Sequence, residues 1–412
     1  MPRRVGPFVM PSAARHPEPR ARIPRVARND KNRLLLPLLL ALLLGACGSA
    51  APASTPAPAS AAKPAASPLV SAGASAAAAA AVRKEGPSLS FKFASSAPET
   101  DLSAVGYKEW AKQVDERTAG RIKFQFFWAG SLLTSQRMFD GLRDGLADFG
   151  GVAAASMSGQ VGDVAPFEVP FAYPLDADLL PKFYAEITPV LGDVFKAHGA
   201  QAVWISPSAV GDPVSCKSKF LDSAKAWQGA LVRTAGKWQA RTLQLWGAKP
   251  VTIDSSEAYA AVQRGTVDCL LYSYNLWDSG KMYEVTKYLT RIDHSINLQM
   301  VAANPGAWSK LPPDDQKILT EAGNAAQAVV LKDTSKVTLK ALDDAKTNGV
   351  HLCTPSQQEL QRLRQATDVV LDEIAQQQTD KGKQLDDILA RYRGMAKQLG
   401  PAEGDMTPCA AQ

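Results

Sequence analysis

Trp227-Gln228-Gly229-Ala230-Leu231-Val232-Arg233, followed by Gly247-Ala248-Lys249-Pro250-Val251 and Glu257-Ala258-Tyr259-Ala260-Ala261-Val262-Gln263-Arg264-Gly265-Thr266-Val267-Asp268, is the stretch that decides the fold class. Ala230 to Arg233 is a short apolar run ending in a charge, and it reads as a strand. Gly236 to Trp246 reads as a helix, and Val251 to Ile253 as a second strand. Ser255 or Ser256 is the candidate cap of a further helix ending at Gly265, and Val267 to Tyr272 is apolar and strand-like. Strand, helix, strand, helix, strand in so few residues is the rhythm of parallel βαβ units.

The same rhythm extends in both directions. Leu89, Phe91 and Phe93 alternate with Ser90 and Lys92, the period of a strand. A helix follows, with Thr100 or Asp101 as N-cap and Gly120 at its end, and Arg121 to Trp128 alternates again. Ser135 to Ala147 predicts a helix, Asp148-Phe149 opens a strand, and helix Ala177–His198 leads into strand Ala202–Ile205. From Pro312 to Asn348 one helical pattern runs on without a break. At 1.5 Å per residue it would be about 50 Å long, more than one small domain is wide. Pro355 to Leu399 is helical as well. The expected class is α/β with largely parallel sheets.

Composition agrees with a folded protein, being 46% apolar and 21% charged, and the net charge of +6 would by itself suggest an anionic partner. The location of that charge removes the suggestion. Residues 1–46 contain Arg3, Arg4, Arg15, Arg20, Arg22, Arg25, Arg28, Lys31 and Arg33 against only Glu18 and Asp30. Removing these nine basic and two acidic residues from 46 and 40 leaves 37 and 38, a formal −1. No nucleic-acid partner is expected. A basic segment, the apolar run Leu34–Leu44 and the small residues after it form an export signal. That run is short of the ~18 residues a membrane span needs. The ending Leu44-Gly45-Ala46-Cys47 resembles a bacterial lipobox, which makes Cys47 the expected lipidation site and the lipid a membrane anchor.

Residues 47–87 are mostly Ala, Pro and Ser and cannot bury enough apolar surface to offset the entropy of ordering. They read as a tether between anchor and folded body. Beyond them lie His198, His294 and His351, with no paired-His spacing, so no metal is expected. There is no Gly-x-Ser-x-Gly elbow and no Gly-x-Gly-x-x-Gly after a strand, so neither an enzyme nor a cofactor is indicated. Cys216, Cys269, Cys353 and Cys409 remain, an even number in an exported chain, with three possible connectivities. The first two sit near strands of the middle segment, and the last two flank the C-terminal helices. This favours the pairs 216–269 and 353–409, with buried free thiols as the alternative.

Arg233 leaves a strand where a sheet's carboxyl edge would be, and its guanidinium offers two parallel donors that match a carboxylate. Taken alone it reads more readily as a surface or structural arginine. The order of the surrounding pieces adds a resemblance. Together with Thr118-Ala119-Gly120-Arg121-Ile122, Ala129-Gly130-Ser131-Leu132 and Val169-Pro170-Phe171, they resemble the motifs of the solute-binding proteins of TRAP transporters, the DctP type, over roughly Leu89 to Leu399.

The resemblance implies a two-lobed periplasmic-binding-protein-like fold with a long inter-lobe helix. Lobe I would comprise 88–208 plus 299–338, and lobe II 209–298 plus 339–400, with 401–412 as a loose tail. It implies that Arg233 meets a ligand carboxylate, and that the receptor hands a small organic anion to the membrane subunits of a TRAP permease on the extracytoplasmic side of the cell envelope. Two departures shape the expected ligand. Cys269-Leu270-Leu271-Tyr272 follows Asp268 where the family often has Gly-Gln-Glu-Asn, so Tyr272 replaces a polar amide. A second arginine that many members carry near Gly211-Asp212-Pro213 is missing. A monocarboxylate with an apolar or hydroxylated body fits better than a dicarboxylate or sugar acid. Tyr272, Tyr274 or Phe171 would pack against it, with Ser255 and Asn275 as further contacts. Glu257 and Asp268 match family positions as structural residues. A surface-anchored enzyme, or a sensor lipoprotein reusing the fold, is the alternative.

Overall fold

The computed structural model describes residues 82–172, 176–208, 211–294, 297–395, 400–401, 404 and 406–409. The expected export signal, Cys47 and the tether up to residue 81 lie outside them. Strands β1 (Leu89–Ala94), β2 (Ile122–Phe127), β3 (Phe149–Ala153) and β4 (Gln201–Ser206) come first in the chain. Then come β5 (Val214–Cys216), β6 (Leu231–Thr234), β7 (Lys249–Thr252), β8 (Cys269–Leu271) and β9 (Tyr288–Thr290). The last two are β10 (Gln299–Ala303) and β11 (His351–Cys353). They form two sheets, ordered β2-β1-β3-β10-β4 and β11-β9-β5-β8-β6-β7.

Each sheet is parallel except for one inserted strand. β10 runs antiparallel to β3 and β4, and β5 runs antiparallel to β8 and β9. These inserted strands are where the chain crosses between sheets. β4 of the first sheet leads into β5 of the second, and β9 of the second leads back to β10 of the first. Strands buried on both faces suit the runs Val203-Trp204-Ile205 and Cys269-Leu270-Leu271, which show no alternation.

The pattern at 312–348 is one helix, Pro313–Thr347, of 35 residues. Asp314 and Asp315 in its first turn and Lys346 in its last complement the helix dipole, and Gly349 at φ 68° ends it. Its first half buries Leu319, Ala322 and Ala326 in the aromatic core of the first sheet, with Phe93, Trp110, Phe149 and Trp204. Its second half buries Ala341, Leu342 and Ala345 with Leu270, Leu289 and Trp277 of the second. One rigid element therefore serves both cores. Gly323 lets it lie close to β4, since a Cβ there would run into the Trp204 ring.

Several placements differ from those the sequence suggests. Attachment to the body begins at Arg83, whose N–H donates to Arg117 O at 2.7 Å and whose guanidinium pairs with Asp314 at 3.0 Å, so the expected tether is held before residue 87. Helix Asp380–Met395 packs through Leu385, Leu389 and Tyr392 against helix Leu180–Ala197 over the first sheet. Its position within 339–400 had placed it with the second. Cys353 and Cys409 are disulfide-bonded, and the N–H groups of Thr354 and Cys409 reach Thr407 O at 2.8 Å and Thr354 O at 3.0 Å. The described part of 401–412 is thus fastened rather than loose. A second disulfide joins Cys216 and Cys269, which face each other across β5 and β8.

Candidate functional site

Arg233 stands near the carboxyl end of β6, between β7 and β8, with Leu270 and Val251 as its register partners. Open α/β sheets bind ligands at this edge. Its Nε donates to Ile253 O at 2.9 Å and its Nη1 to Leu271 O at 3.4 Å, using two of the five N–H donors. The guanidinium carbon lies 4.8 Å from the centre of the Tyr272 ring. Only 3% of the residue is exposed. Burial pushes the guanidinium below its ordinary pKa, and Tyr272, Asp254 and Asp212 oppose that shift.

Arg233 lines a cavity enclosed by both sheets. Its volume is about 50 Å³, several times what one water needs by the same measure. Tyr272 lines it too, fixed by its hydroxyl, which donates to Ser255 O at 3.0 Å. Burial raises that phenol to about 12, so it stays a neutral donor at ordinary pH. Ser255 also borders the cavity, while Asp254 takes the capping role expected of Ser255 or Ser256, accepting from Ser256 N at 3.0 Å.

The other three expected contacts do not line this cavity. Phe171 is in the core of the second sheet with Trp246 and Trp227, its N–H donating to His294 O at 2.8 Å. Tyr274 is fully buried, because its hydroxyl donates to Asp293 at 2.7 Å and accepts from Arg291 Nε at 3.2 Å. Asn275 joins the two halves instead. Its Nδ2 donates to Asp101 Oδ2 at 2.8 Å, and its Oδ1 accepts from Ser208 Oγ at 2.9 Å. Asp212, Gln239, Asn297 and, from the first sheet's side, Ser96, Ser156 and Gln299 are further polar residues of the lining. Sequence reading did not select them as contacts. They are polar residues at strand ends, in turns and, for Ser156 and Gln239, in helices, brought together only by the tertiary fold.

Three carboxylates bind first-sheet elements to second-sheet elements around this cavity. Asp101 caps helix Leu102–Arg117 and receives Asn275. Asp254 accepts from Ser135 Oγ at 2.8 Å and Gln136 N at 3.2 Å, while Gln136 Nε2 donates to Ala235 O at 2.6 Å. Burial works to raise the Asp254 carboxyl, but hydrogen bonds from Ser256, Ser135 and Gln136 hold it below its ordinary value. Glu168 accepts from the N–H groups of Trp238 at 2.8 Å and Gln239 at 2.9 Å, at the start of helix Lys237–Leu245, and from the Ser158 hydroxyl. Gly236 permits this approach, since a Cβ there would meet both Ala155 O and the Glu168 carboxylate. Burial pushes Glu168 up to about 7 despite these donors.

The family described as DctP, bacterial extracellular solute-binding protein, family 7, matches residues 93–378. The chain is 23% identical over 270 residues to the 2,3-diketo-L-gulonate-binding periplasmic protein YiaO of Escherichia coli, covering 64% of this chain and 81% of that one. Among solved structures, DctP7 of Bordetella pertussis, an extracytoplasmic solute receptor binding pyroglutamic acid, is similar with a TM-score of 0.69 at 20% identity, over 73% of this chain and 99% of that one. The periplasmic ectoine-binding protein of the TeaABC TRAP transporter of Halomonas elongata is similar with a TM-score of 0.70 at 19% identity, over 75% and 100%. Among the described residues, no helix is long and apolar enough to cross a membrane.

Proposed function

Because the chain belongs to the DctP family of bacterial extracellular solute-binding proteins, we propose that it is the extracytoplasmic receptor of a TRAP-type transporter, closing on a small monocarboxylate held by Arg233. The observation that carries this reading is the buried guanidinium of Arg233, lying on Tyr272 in a cavity that both sheets enclose. Arginine keeps its charge at any physiological pH, and its planar fork matches a carboxylate in two places. Where water is excluded, the ion pair is far stronger than at a surface. Relatives that bind 2,3-diketo-L-gulonate, pyroglutamic acid and ectoine give the same fold to small organic solutes. Closure sequesters the ligand, and docking on the permease's membrane subunits would release it. On this reading the chain is a carrier and not an enzyme. Lipid on Cys47, at the end of the export signal, would tether it to the membrane.

Purification of the exported protein, followed by mass spectrometry of what denaturation releases, should yield a small carboxylate. Arg233→Ala should abolish stabilisation by that ligand while leaving the ligand-free protein folded. Unchanged binding in Arg233→Ala overturns the role of the arginine. Lipidation is read independently, from the mass of the mature N-terminus compared with that of Cys47→Ser.

A further inference from the structure

We infer that the ligand is a zwitterion, a small monocarboxylate that also carries a cationic nitrogen, with its carboxylate on Arg233 and its cationic end toward Asp212. This rests on the carboxylate reading of Arg233 and narrows it.

Strand register places the two residues. β5 and β6 flank β8, the first antiparallel to it and the second parallel. Val214 pairs with Leu271 and Arg233 with Leu270, so Asp212, two residues before Val214, lies beyond the same carboxyl end of β8. Neighbouring strands are about 4.8 Å apart, so two strand spacings set the backbones of Arg233 and Asp212 roughly 10 Å apart across the sheet. Tyr272 follows directly on β8, between them. The two side chains close part of that distance, and what remains suits a molecule with only a few bonds between its charged ends.

Charge balance gives the ligand its second group. Among the described residues lining the cavity, Arg233 and Asp212 are the charged ones, 3% and 2% exposed. The pair is neutral before any ligand enters. Asp254, just outside, adds a further negative charge acting on Arg233. An amine-free carboxylate would leave this enclosed space with a net negative charge, and an uncompensated buried ion costs several kcal/mol. A zwitterion adds no net charge and presents each end to its opposite. Asp212 is also held in place. Asn297 Nδ2 donates to its Oδ1 at 3.3 Å, and the His294 N–H donates to its carbonyl at 3.4 Å. Gly211, at φ 84°, turns the chain into it.

The test uses the purified chain, calorimetry and thermal unfolding with matched pairs. Amino, imino and betaine acids form one panel, and their carbon analogues the other, for example proline with cyclopentanecarboxylate, pipecolate with cyclohexanecarboxylate, and glycine betaine with tert-butylacetate. The expected result is a zwitterion that binds at least about tenfold tighter than its analogue, a difference of about 1.4 kcal/mol. Asp212→Asn should erase that preference while leaving the analogues' affinity unchanged or improved. Tighter binding of the amine-free panel, or a preference that survives Asp212→Asn, overturns the inference and leaves the carboxylate reading intact. Silence from both panels overturns the carboxylate reading, and the inference with it. Should Asp212→Asn fail to fold, the comparison of pairs on the unaltered protein decides.

Discussion

The Glu168 carboxylate, on the first sheet's side of the cavity, accepts a hydrogen bond 2.8 Å long from the backbone N–H of Trp238, in the opening turn of a helix on the second sheet's side. The neighbouring amide, Gln239, belongs to a residue that lines the cavity, and its side-chain Oε1 receives the Ala235 N–H at 2.9 Å. The latch between the halves and the wall of the site therefore share one turn of helix.

That latch makes stability depend on pH. Glu168 titrates near 7 in the folded protein and near its ordinary 4.5 when unfolded. Between those values the folded state holds the extra proton, so its contribution to stability is complete below about 4.5 and is lost as pH rises through 7. The full loss is on the order of 3 kcal/mol. His294, pushed down to about 3 by burial, acts in the opposite sense, because it adds stability as pH rises from 3 to its ordinary 6.5. The difference between the protein and Glu168→Gln isolates the carboxylate. In urea unfolding from pH 4.5 to 7.5, Glu168→Gln should gain relative stability as pH rises. A difference that stays flat across that window refutes the role.

Asn275 offers a way to change ligand affinity without touching ligand. It lies outside the cavity lining yet connects Ser208 to Asp101, and so first-sheet elements to second-sheet elements. Asn275→Ala removes two buried hydrogen bonds that belong to the closed arrangement, at about 1–3 kcal/mol. If an open state competes with the closed one, apparent affinity falls with the closed fraction, about tenfold for 1.4 kcal/mol. Titration of the co-purified ligand by calorimetry measures the loss. Affinity equal to that of the unaltered protein would show that this connection does not contribute to closure.

Tyr272 separates a platform from a hydroxyl. Tyr272→Phe keeps the ring under Arg233 and loses only the bond to Ser255 O, so it should cost about 1 kcal/mol or less in ligand binding. Tyr272→Ala removes the ring as well, with its contact to a desolvated guanidinium, and should cost about 2 kcal/mol or more. Equal losses in the two variants would place the effect in the hydroxyl.

Strand β1 and the long helix are legible in the sequence because their periods are clean. Phe91 and Phe93 alternate into a core, and Pro313 to Thr347 repeats without a stop. β5 and β9 leave little trace, since three residues show no period and Val214 to Cys216 is buried throughout. β10 is five residues long, four of them buried, and it too lacks alternation. Arg233 stands out as the charge near the end of a short apolar run. Phe171 and Tyr274 illustrate the limit of such reasoning, since an aromatic near a motif packs as readily into a core as into a site. The first sheet's share of the cavity, Ser96, Ser156 and Gln299, could not be read locally. Those residues come from three separate stretches of the chain, and they meet Arg233 only when the crossing strands bring the halves together.

Gly323 tests how tightly the long helix is seated. A methyl group there would strike the Trp204 ring, and Trp204 is itself fully buried between the helix and β4. The gain in helix propensity from Gly to Ala is about 1 kcal/mol, whereas forcing apart a packed core costs typically 1–3 kcal/mol. Gly323→Ala should therefore be neutral to destabilising by about 2 kcal/mol in urea unfolding. Stabilisation by about 1 kcal/mol, the bare propensity effect, would mean that the Trp204 ring yields to the added methyl at no cost.

The disulfide Cys353–Cys409 closes a loop across 56 residues that includes both C-terminal helices. Helix Gln357–Ala375 packs on the second sheet through Leu360 and Leu363, and helix Asp380–Met395 on the first through Leu385 and Leu389. The bond thus restrains a segment that touches both halves. The chain-entropy relation gives about 4 kcal/mol for a loop of this size. Cys353→Ala with Cys409→Ala should lower stability by about 2–4 kcal/mol, and limited proteolysis should cut first beyond residue 400. Since neither Cys353 nor Cys409 borders the cavity, ligand affinity at low temperature should be retained. A change in stability below about 0.5 kcal/mol would show that packing of the two helices already holds the C-terminus in place.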